Sequence, residues 1–568
     1  MHDELDRTAE SPAASSARPP VARLETIDTA RAIAIAEEFT KSRVLDAATS
    51  LDEAQAAAAN GERVAIVASI ESLASQRTAL RRIAQARLGL VVHAIASHGS
   101  EDLGAFVDIG WGVLCASGPE DSLDLALVAR RAAEDSGVPF VVIHALARAD
   151  GAAGRAVAAV GIPHEKAVRA FVGEKRLKHK SDPAHPSMAP ASDRAFAERA
   201  PFALGSALRE YGSVSGRRHD VFDKIPLGEA PLVLVGMGPV GDALFSATNE
   251  LRARGYEVSA LHVSTLRPFP GPRLVKALCR ALAITVLEPS EEPLSHGGFL
   301  ARELKSAFTD ALTWVPGFPG IGRIPKLFVG VTGPSFDIAD LAAVCDNMLA
   351  DERGLRSFSF ADTEHALPRP APVESTGPVA FRWVLDDLAS AEAAIAATSN
   401  LLAGALGLRL HAVVTPSRSG EGATVDGFAV RDQARGGMAR RGPRLVVTTA
   451  RGVSHSDAVT SLAAGGVLAV IGDVASIPDG AKTMVRERKA RILPLPAGEG
   501  AAVAAMCAGA AVAVASRTSR AAVDGAEVAR LAGEGETGER ARRAFEAMVD
   551  AVAAQDREGN GGRPVGVA

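Results

Sequence analysis

The stretch Leu232-Val233-Leu234-Val235-Gly236-Met237-Gly238-Pro239-Val240-Gly241-Asp242-Ala243-Leu244 decides how the chain folds. Four apolar residues without alternation predict a strand buried on both faces, the glycines mark a tight turn, and residues 240–254 repeat apolar side chains at helical spacing. A buried strand that turns directly into a helix is the building unit of a parallel α/β sheet covered on both sides. Gly236-Met237-Gly238-Pro239-Val240-Gly241 also matches a dinucleotide-binding fingerprint. Such a site needs an acid at the end of the following strand to hold ribose hydroxyls. Here that strand ends His262-Val263-Ser264, and Pro239 fills a loop position. The turn is therefore read as offering backbone amides to some anion, or simply as packing its helix.

The same alternation runs outward on both sides. Strands are predicted at 256–263, 284–287 and 327–331 and helices at 271–282, 299–312 and 337–349, which closes a domain over about 229–350. Upstream, apolar runs at 64–68, 90–95, 112–116 and 138–144 alternate with helical patterns at 29–40 and 121–135, giving a parallel-sheet domain over 26–172. Residues 173–228 form a connector rich in Pro, Ser, His and charge, with one helix near 202–211. A Pro-rich linker, 351–378, leads to a third α/β domain over 379–515 with strands at 408–414, 445–448 and 467–471. A helical tail, 516–568, carries Phe545, Met548, Val549 and Val552 on one face. Residues 1–25 have the polar, Ala/Ser/Pro-rich composition of a disordered segment.

Composition removes several classes of function. Of 568 residues 62 are basic and 67 acidic, a net charge of −5, which gives no case for a nucleic-acid binder. The short basic runs at 175–180 and 486–489 read as solvated faces. Cys115, Cys279, Cys345 and Cys507 are widely separated, so no Cys-x-x-Cys zinc or iron–sulfur spacing exists, and a reducing, cytoplasmic setting is expected. No signal peptide is recognised at the start. The longest apolar run, 501–515, is mostly alanine and shorter than the roughly 18 residues of a spanning helix, so a buried helix is expected and no membrane contact.

Thirteen histidines are scattered, and no His-x-x-x-His pair suggests a metal site. His93 and His98 fall near the end of a predicted strand, where parallel-sheet proteins place ligand-binding groups. Ser454-His455-Ser456-Asp457 has the residue types of a hydrolase, but no strand–Gly-x-Ser-x-Gly–helix elbow surrounds it. Glu120 and Asp124, one helical turn apart, read as favourable negative charge at a helix start.

Taken together, the motifs resemble those of the pyruvate:ferredoxin oxidoreductase family. Gly118-Pro119-Glu120-Asp121-Ser122-Leu123-Asp124 followed by Gly137-Val138-Pro139-Phe140 is similar to its first domain, where a Gln-Glu-x-x-x-Asp helix leads to a Val-Pro-Phe strand. Asp182-Pro183-Ala184-His185-Pro186 looks like its Asn-Pro-x-His-Pro. Gly255-Tyr256-Glu257-Val258, then Leu266-Arg267-Pro268-Phe269-Pro270, then Val286-Leu287-Glu288-Pro289 resemble the second domain, and Gly465-Gly466-Val467-Leu468 resembles the gamma domain. The resemblance implies a thiamine-pyrimidine-type (transketolase-like) parallel-sheet domain, a transketolase C-terminal-like domain and a third, gamma-like α/β domain.

It also implies a chemistry. The family decarboxylates a 2-oxoacid such as pyruvate on thiamine diphosphate, sends electrons through iron–sulfur clusters to ferredoxin, and passes the acyl group to coenzyme A. Gly-Asp-Gly, the metal–diphosphate motif of such enzymes, occurs nowhere in this sequence. Thiamine diphosphate is therefore expected to be shared with a partner chain that carries Mg, the diphosphate-binding domain and the ferredoxin-type clusters, in an oligomer. His93 stands where the family has an Arg for the substrate carboxylate. Asp46 or Glu53 is the nearest acid to the activating carboxylate, Ser69 and His98 complete the expected pocket, and Ala47 replaces a substrate-binding Thr. In the third domain 383–389 lacks the family's glycine-rich stretch. Two readings follow: a catalytic subunit of a 2-oxoacid:acceptor oxidoreductase, or a non-catalytic structural or regulatory paralogue that keeps the fold and the partner interface.

Overall fold

A computed structural model describes residues 21–559 except 47–50, 97–103, 146–147, 150–151, 174–197, 226–229, 290–293, 296, 334–335, 351–352, 361–364, 369–378, 418–421, 432–441, 450, 455 and 520. Three α/β units built on large sheets are joined by strands that cross between them.

The sheet around the opening stretch runs Phe222–Lys224, Val258–Val263, Leu232–Met237, Ala283–Glu288, Lys326–Val331, Ser357–Ser359, and only the first strand is antiparallel to its neighbour. Every residue of the three central strands is buried, as their unbroken apolar runs require. The helix Gly238–Ala253 follows Leu232–Met237 at once, and Gly238 takes φ +53°. A Cβ on Gly241 would lie 2.1 Å from the His262 ring and 2.9 Å from the Gly236 carbonyl oxygen. The glycine is thus needed to pack this helix against the strand that carries His262. Gly241→Ala is expected to cost about 1–3 kcal/mol of stability through overpacking, read from the urea midpoint. Adding His262→Ala should return part of that loss, and purely additive losses would refute the contact.

The first unit's sheet runs Gly112–Ala116, Phe140–Ala145, Val91–Ala96, Val64–Ser69, Arg43–Asp46, all parallel. Its sixth strand comes from the second unit: Thr265–Arg267 pairs antiparallel with Gly112–Ala116, and Cys115 N donates to Ser264 O at 2.8 Å. The sequence motif around Arg267 makes this graft. Its guanidinium bonds Glu303 at 2.8 Å and lies over the Phe299 ring at 4.9 Å.

The third sheet departs most from the sequence expectation. Its order is Arg23–Asp28, Arg155–Ile162, Leu408–Pro416, Ala423–Arg431, Val379–Leu385, Leu445–Thr449, Val467–Ile471, Arg491–Leu495. Two strands from the first 162 residues therefore complete the sheet of the C-terminal unit, with His411 opposite Ala158 and Val414 opposite Arg155. Behind this sheet lies the helix Ala501–Ser519. It is long and apolar enough to cross a membrane, yet it is 78% buried inside the protein, in accord with the buried helix expected. It packs into the core shared with Leu388–Leu406 and Glu536–Gly559. A Cβ on Gly509 would fall 2.2 Å from the Ala541 carbonyl oxygen, so only glycine allows that helix approach. Cys115, Cys345 and Cys507 are buried, as small core residues should be, and Cys279 is partly exposed.

Candidate functional site

The carboxyl ends of the first sheet's strands are where a parallel α/β unit offers its ligand crevice. They end at Asp46, Ser69, Ala96, Ala116 and Ala145. Next to Ala116 stands the turn at Gly238, whose built Cβ would come within 3.8 Å of the Ala116 carbonyl oxygen. The glycine turn of the second unit thus faces the ligand end of the first.

The expected pocket residues do not converge there. Ser69 is partly buried and caps the helix Ile70–Ala74, its hydroxyl accepting from Ser72 N at 3.2 Å. Asp46 closes the edge strand Arg43–Asp46 with its backbone opposite Val67, and its side chain lies outside the described residues. Glu53 is exposed on the helix Leu51–Ala59 and hydrogen-bonded by Arg43, so it stands at the outer edge and not over the strand ends. His98, the turn at 47–50 with Ala47, the basic run 175–180, Asp182 to Pro186 and His455 lie outside the described residues.

His93 requires a correction. It was expected at a strand end facing a substrate carboxylate, but it lies in mid-strand opposite Val67 and Val142 and is fully buried. Strand alternation turns it toward the helix layer, away from solvent. There Nε2 meets Glu37 Oε1 at 3.0 Å and Nδ1 meets His144 Nε2 at 3.0 Å. His144 Nδ1 in turn meets the Ser122 hydroxyl at 2.9 Å, and Glu37 Oε2 accepts from Arg130 Nη2 at 3.2 Å. All five side chains are buried. Burial opposes the Glu37 charge, but the Arg130 cation and His93 outweigh it and hold the carboxyl well below the usual carboxylate range. Burial, with the neighbouring His93, pushes the His144 imidazole well below its ordinary value, so it is neutral. Arg130 also donates to Val64 O at 2.9 Å, while its Nε and Nη1 meet no acceptor among the described residues.

A second polar cluster joins the first unit to the connector. Asp124, fully buried, accepts from Arg217 Nε at 2.6 Å and through a second guanidinium nitrogen, from the Tyr211 hydroxyl at 2.6 Å, and meets His219 Nε2 at 2.7 Å. Arg217 further donates to Gly161 O at 2.7 Å, and Glu120 accepts from Arg409 of the third unit at 2.5 Å. Burial alone would raise the Asp124 carboxyl, but Arg217 and His219 carry it well below its ordinary value. Glu120 moves the opposite way, raised by burial and by Asp124 against the pull of its arginines. On the third unit's strand Leu408–Pro416, burial and Arg409 push His411 down to about 4.

In the second unit, Glu288 ends its strand inside the first turn of Phe299–Leu312 and accepts from Leu300 N at 2.8 Å and Ala301 N at 3.2 Å. Burial nevertheless pushes its carboxyl up to about 7. Among the described residues, no group of three His, Cys, Asp or Glu is placed to hold a metal ion.

Glu37, His144, Ser122 and Arg130 escaped the sequence reading. The available signal was an ionisable residue inside an otherwise apolar run: Glu37 on the Ala/Ile face of 29–40, and His144 in Phe140-Val141-Val142-Ile143-His144.

Comparison with known proteins adds independent information. Residues 230–322 match the family model described as "Pyruvate:ferredoxin oxidoreductase core domain II". The chain is 27% identical over 216 residues to the pyruvate synthase subunit PorA of Methanothermobacter thermautotrophicus, a match covering 36% of this chain and 55% of that protein. It is 26% identical over 286 residues to the pyruvate-flavodoxin oxidoreductase of Nostoc sp., covering 46% of this chain and 23% of the relative. The chain thus spans about half the length of the pyruvate synthase subunits it matches, 55% and 48% for two of them. Among solved structures, the 2-oxoglutarate:ferredoxin oxidoreductase from Magnetococcus marinus aligns with a TM-score of 0.42 at 12% identity, covering 57% of this chain and 65% of that one.

Proposed function

We propose that the chain belongs to the 2-oxoacid:ferredoxin oxidoreductase family and is a subunit of a 2-oxoacid:acceptor oxidoreductase, a reading supported by the match of residues 230–322 and by its similarity to pyruvate synthase and pyruvate-flavodoxin oxidoreductase chains. In this reading it provides the pyrimidine-side and core-domain-II architecture, and a partner chain provides the diphosphate site, Mg and the iron–sulfur clusters. The observation that carries the proposal is the core domain II over 230–322, together with the strand Thr265–Arg267 by which it is built into the first sheet.

The chain's own residues do not fit the diphosphate end of thiamine diphosphate. Gly-Asp-Gly is missing from the sequence, and the described acids form no metal-holding group. No catalytic step through that cofactor is therefore assigned to this chain. Its proposed contribution is to close the crevice at the ends of Val64–Ser69 and Gly112–Ala116 and to dock the partner. The 2-oxoacid and coenzyme A belong to the assembled complex, and a cytoplasmic location accompanies the proposal.

A second reading, a non-catalytic paralogue that scaffolds or regulates such a complex, is favoured by one observation. His93, which the sequence resemblance aligns with the family's carboxylate-binding Arg, is walled in with both ring nitrogens engaged. A single assay separates the two. The chain is copurified with a candidate partner carrying Gly-Asp-Gly and ferredoxin-type cysteines, loaded with cofactors, and tested for 2-oxoacid- and coenzyme A-dependent dye reduction. Turnover that requires this chain is the expected result. A stable, cofactor-replete complex that turns over no common 2-oxoacid would leave the scaffold reading standing alone.

A further inference from the structure

In the second unit one buried carboxyl group holds a helix without a counter-charge. Glu288 closes the strand Ala283–Glu288, where alternation turns it to the face covered by the helix Phe299–Leu312, and only 3% of it is exposed. Both oxygens are taken by backbone: Oε1 accepts from Leu300 N at 2.8 Å and Oε2 from Ala301 N at 3.2 Å. Gly298, the residue before that helix, has no side chain to cap it, and a Cβ there would lie 2.5 Å from Glu288 Oε2. Glu288 therefore supplies, from a neighbouring strand, the cap that the helix lacks.

Among the described residues no cation is bonded to this carboxyl. From the helix itself Arg302 and Lys305 act on it at a distance, while Glu303 is turned to Arg267. The helix Gly271–Leu278, packed against the same helix, carries Lys276 and Arg273, whose guanidinium is bonded to Asp220. The flanking strands Leu232–Met237 and Lys326–Val331 place apolar residues and glycine beside it, with Lys326 at the far end. Glu291, Glu292 and His296 lie outside the described residues. Burial outweighs the two amides and the distant cations, so the group exchanges its proton near neutrality. The same helix start has a second partner. Phe299 lies against the Arg267 guanidinium at 4.9 Å, and Glu303 bonds that guanidinium at 2.8 Å. Arg267 in turn donates to Val107 O of the first unit at 3.2 Å. One helix start is thus held by Glu288 and itself holds the strand that joins the first sheet.

We propose that Glu288 is a proton-controlled pin: protonated, it keeps the start of the helix Phe299–Leu312 closed on Arg267, and ionised, it draws toward water and loosens both the helix start and the Thr265–Arg267 graft. The proton is exchanged with bulk water, and no other group changes its state. When the helix start opens, the carboxyl is hydrated and returns to its ordinary value of 4.5, whereas in the closed form it stands at about 7. The closed form therefore binds the proton more tightly. The stability it gains in this way is fully present below the ordinary value and is lost as the pH rises through about 7. Across that window the open population should grow by up to about tenfold per pH unit, and by roughly a hundredfold or more in all. Asp124, held well below its ordinary value, titrates under this window and leaves it undisturbed. The inference goes beyond the oxidoreductase reading and does not rest on it, because the pin is a property of this chain alone.

The test is hydrogen exchange of the full-length chain, read by mass spectrometry from about pH 5 to about pH 9, with each rate divided by the intrinsic rate at that pH. The corrected opening of 299–302 should rise by up to about tenfold per pH unit, level off above neutrality, and carry 265–267 and 112–116 with it. In Glu288→Gln, a neutral group of the same shape, all three segments should lose this dependence. A flat profile for 299–302 in the unmodified chain overturns the proposal, as does an equal rise in a folded Glu288→Gln. A rise in 299–302 that leaves 265–267 and 112–116 unmoved overturns the link to the graft. Should Glu288→Gln fail to fold, carbon-13 titration of the glutamate carboxyls decides, with the Glu120 signal assigned from Glu120→Gln. A further glutamate titrating near neutrality is expected, and none above about pH 6 refutes the pin. A cap that only fills space would open to the same extent at every pH.

Discussion

Replacing Arg217 by alanine is expected to lower the unfolding free energy by about 3–5 kcal/mol, because it leaves Asp124 as an uncompensated buried charge. The guanidinium supplies two of the four bonds on that carboxylate and also ties it to Gly161 O. Tyr211 and His219 remain, but neither provides a permanent positive charge. The loss should appear as a lower urea midpoint. Its pH dependence has a definite sign. The Asp124 carboxyl is depressed in the folded chain, so it contributes stability that is present at neutral pH and is lost as pH falls below the ordinary aspartate range toward its folded value. Acidification should therefore lower the midpoint of the unmodified chain, and Asp124→Asn should flatten that part of the curve. An Arg217→Ala variant as stable as its parent would mean that Asp124 is hydrated in solution.

Truncating Trp383 to alanine should cost about 3–5 kcal/mol, the usual loss for a fully buried large aromatic. Trp383 has no exposed surface, stacks on Phe381 with ring centres 5.0 Å apart, and stands in the middle of the eight-stranded sheet. The position of the damage matters as much as its size. Arg155–Ile162 and Arg23–Asp28 belong to the same sheet through Leu408–Pro416, so the weakening should cross the chain. Hydrogen exchange read by mass spectrometry should quicken in 155–162 together with 379–385. Loss of protection confined to 379–385 would show that the sheet opens in separate pieces.

These two sites also show how much could be read in advance. Strands such as Leu232–Met237, Ala283–Glu288 and Val467–Ile471 were plain, because a short run of β-branched and apolar residues with glycine or proline at its edge has one reading. Arg155–Ile162 was missed because Arg155-Ala156-Val157-Ala158-Ala159-Val160-Gly161-Ile162 is as rich in alanine as a helix, and its strand state depends on a partner encoded far downstream. Arg491–Leu495 was hidden by Pro494, which an edge strand tolerates and an interior one does not. The core domain II was legible through Arg267 and its neighbours, whose motif makes specific contacts. The site residues were less so. Position in a motif placed His93 in a pocket, while the pleat turned its ring to the other side, and no one-dimensional pattern shows that Glu37 would be waiting there.

The sheet shared by the two ends of the chain bears on how the protein is made. As the polypeptide leaves the ribosome, Arg155–Ile162 can pair with Arg23–Asp28, but its other edge stays open until Leu408–Pro416 has been synthesised. Throughout that interval the nascent chain carries an unpaired strand edge, the feature by which unfinished proteins adhere to one another. The strands that the first 162 residues lend to this sheet are therefore fully paired only after Leu408–Pro416 of the third unit has been made.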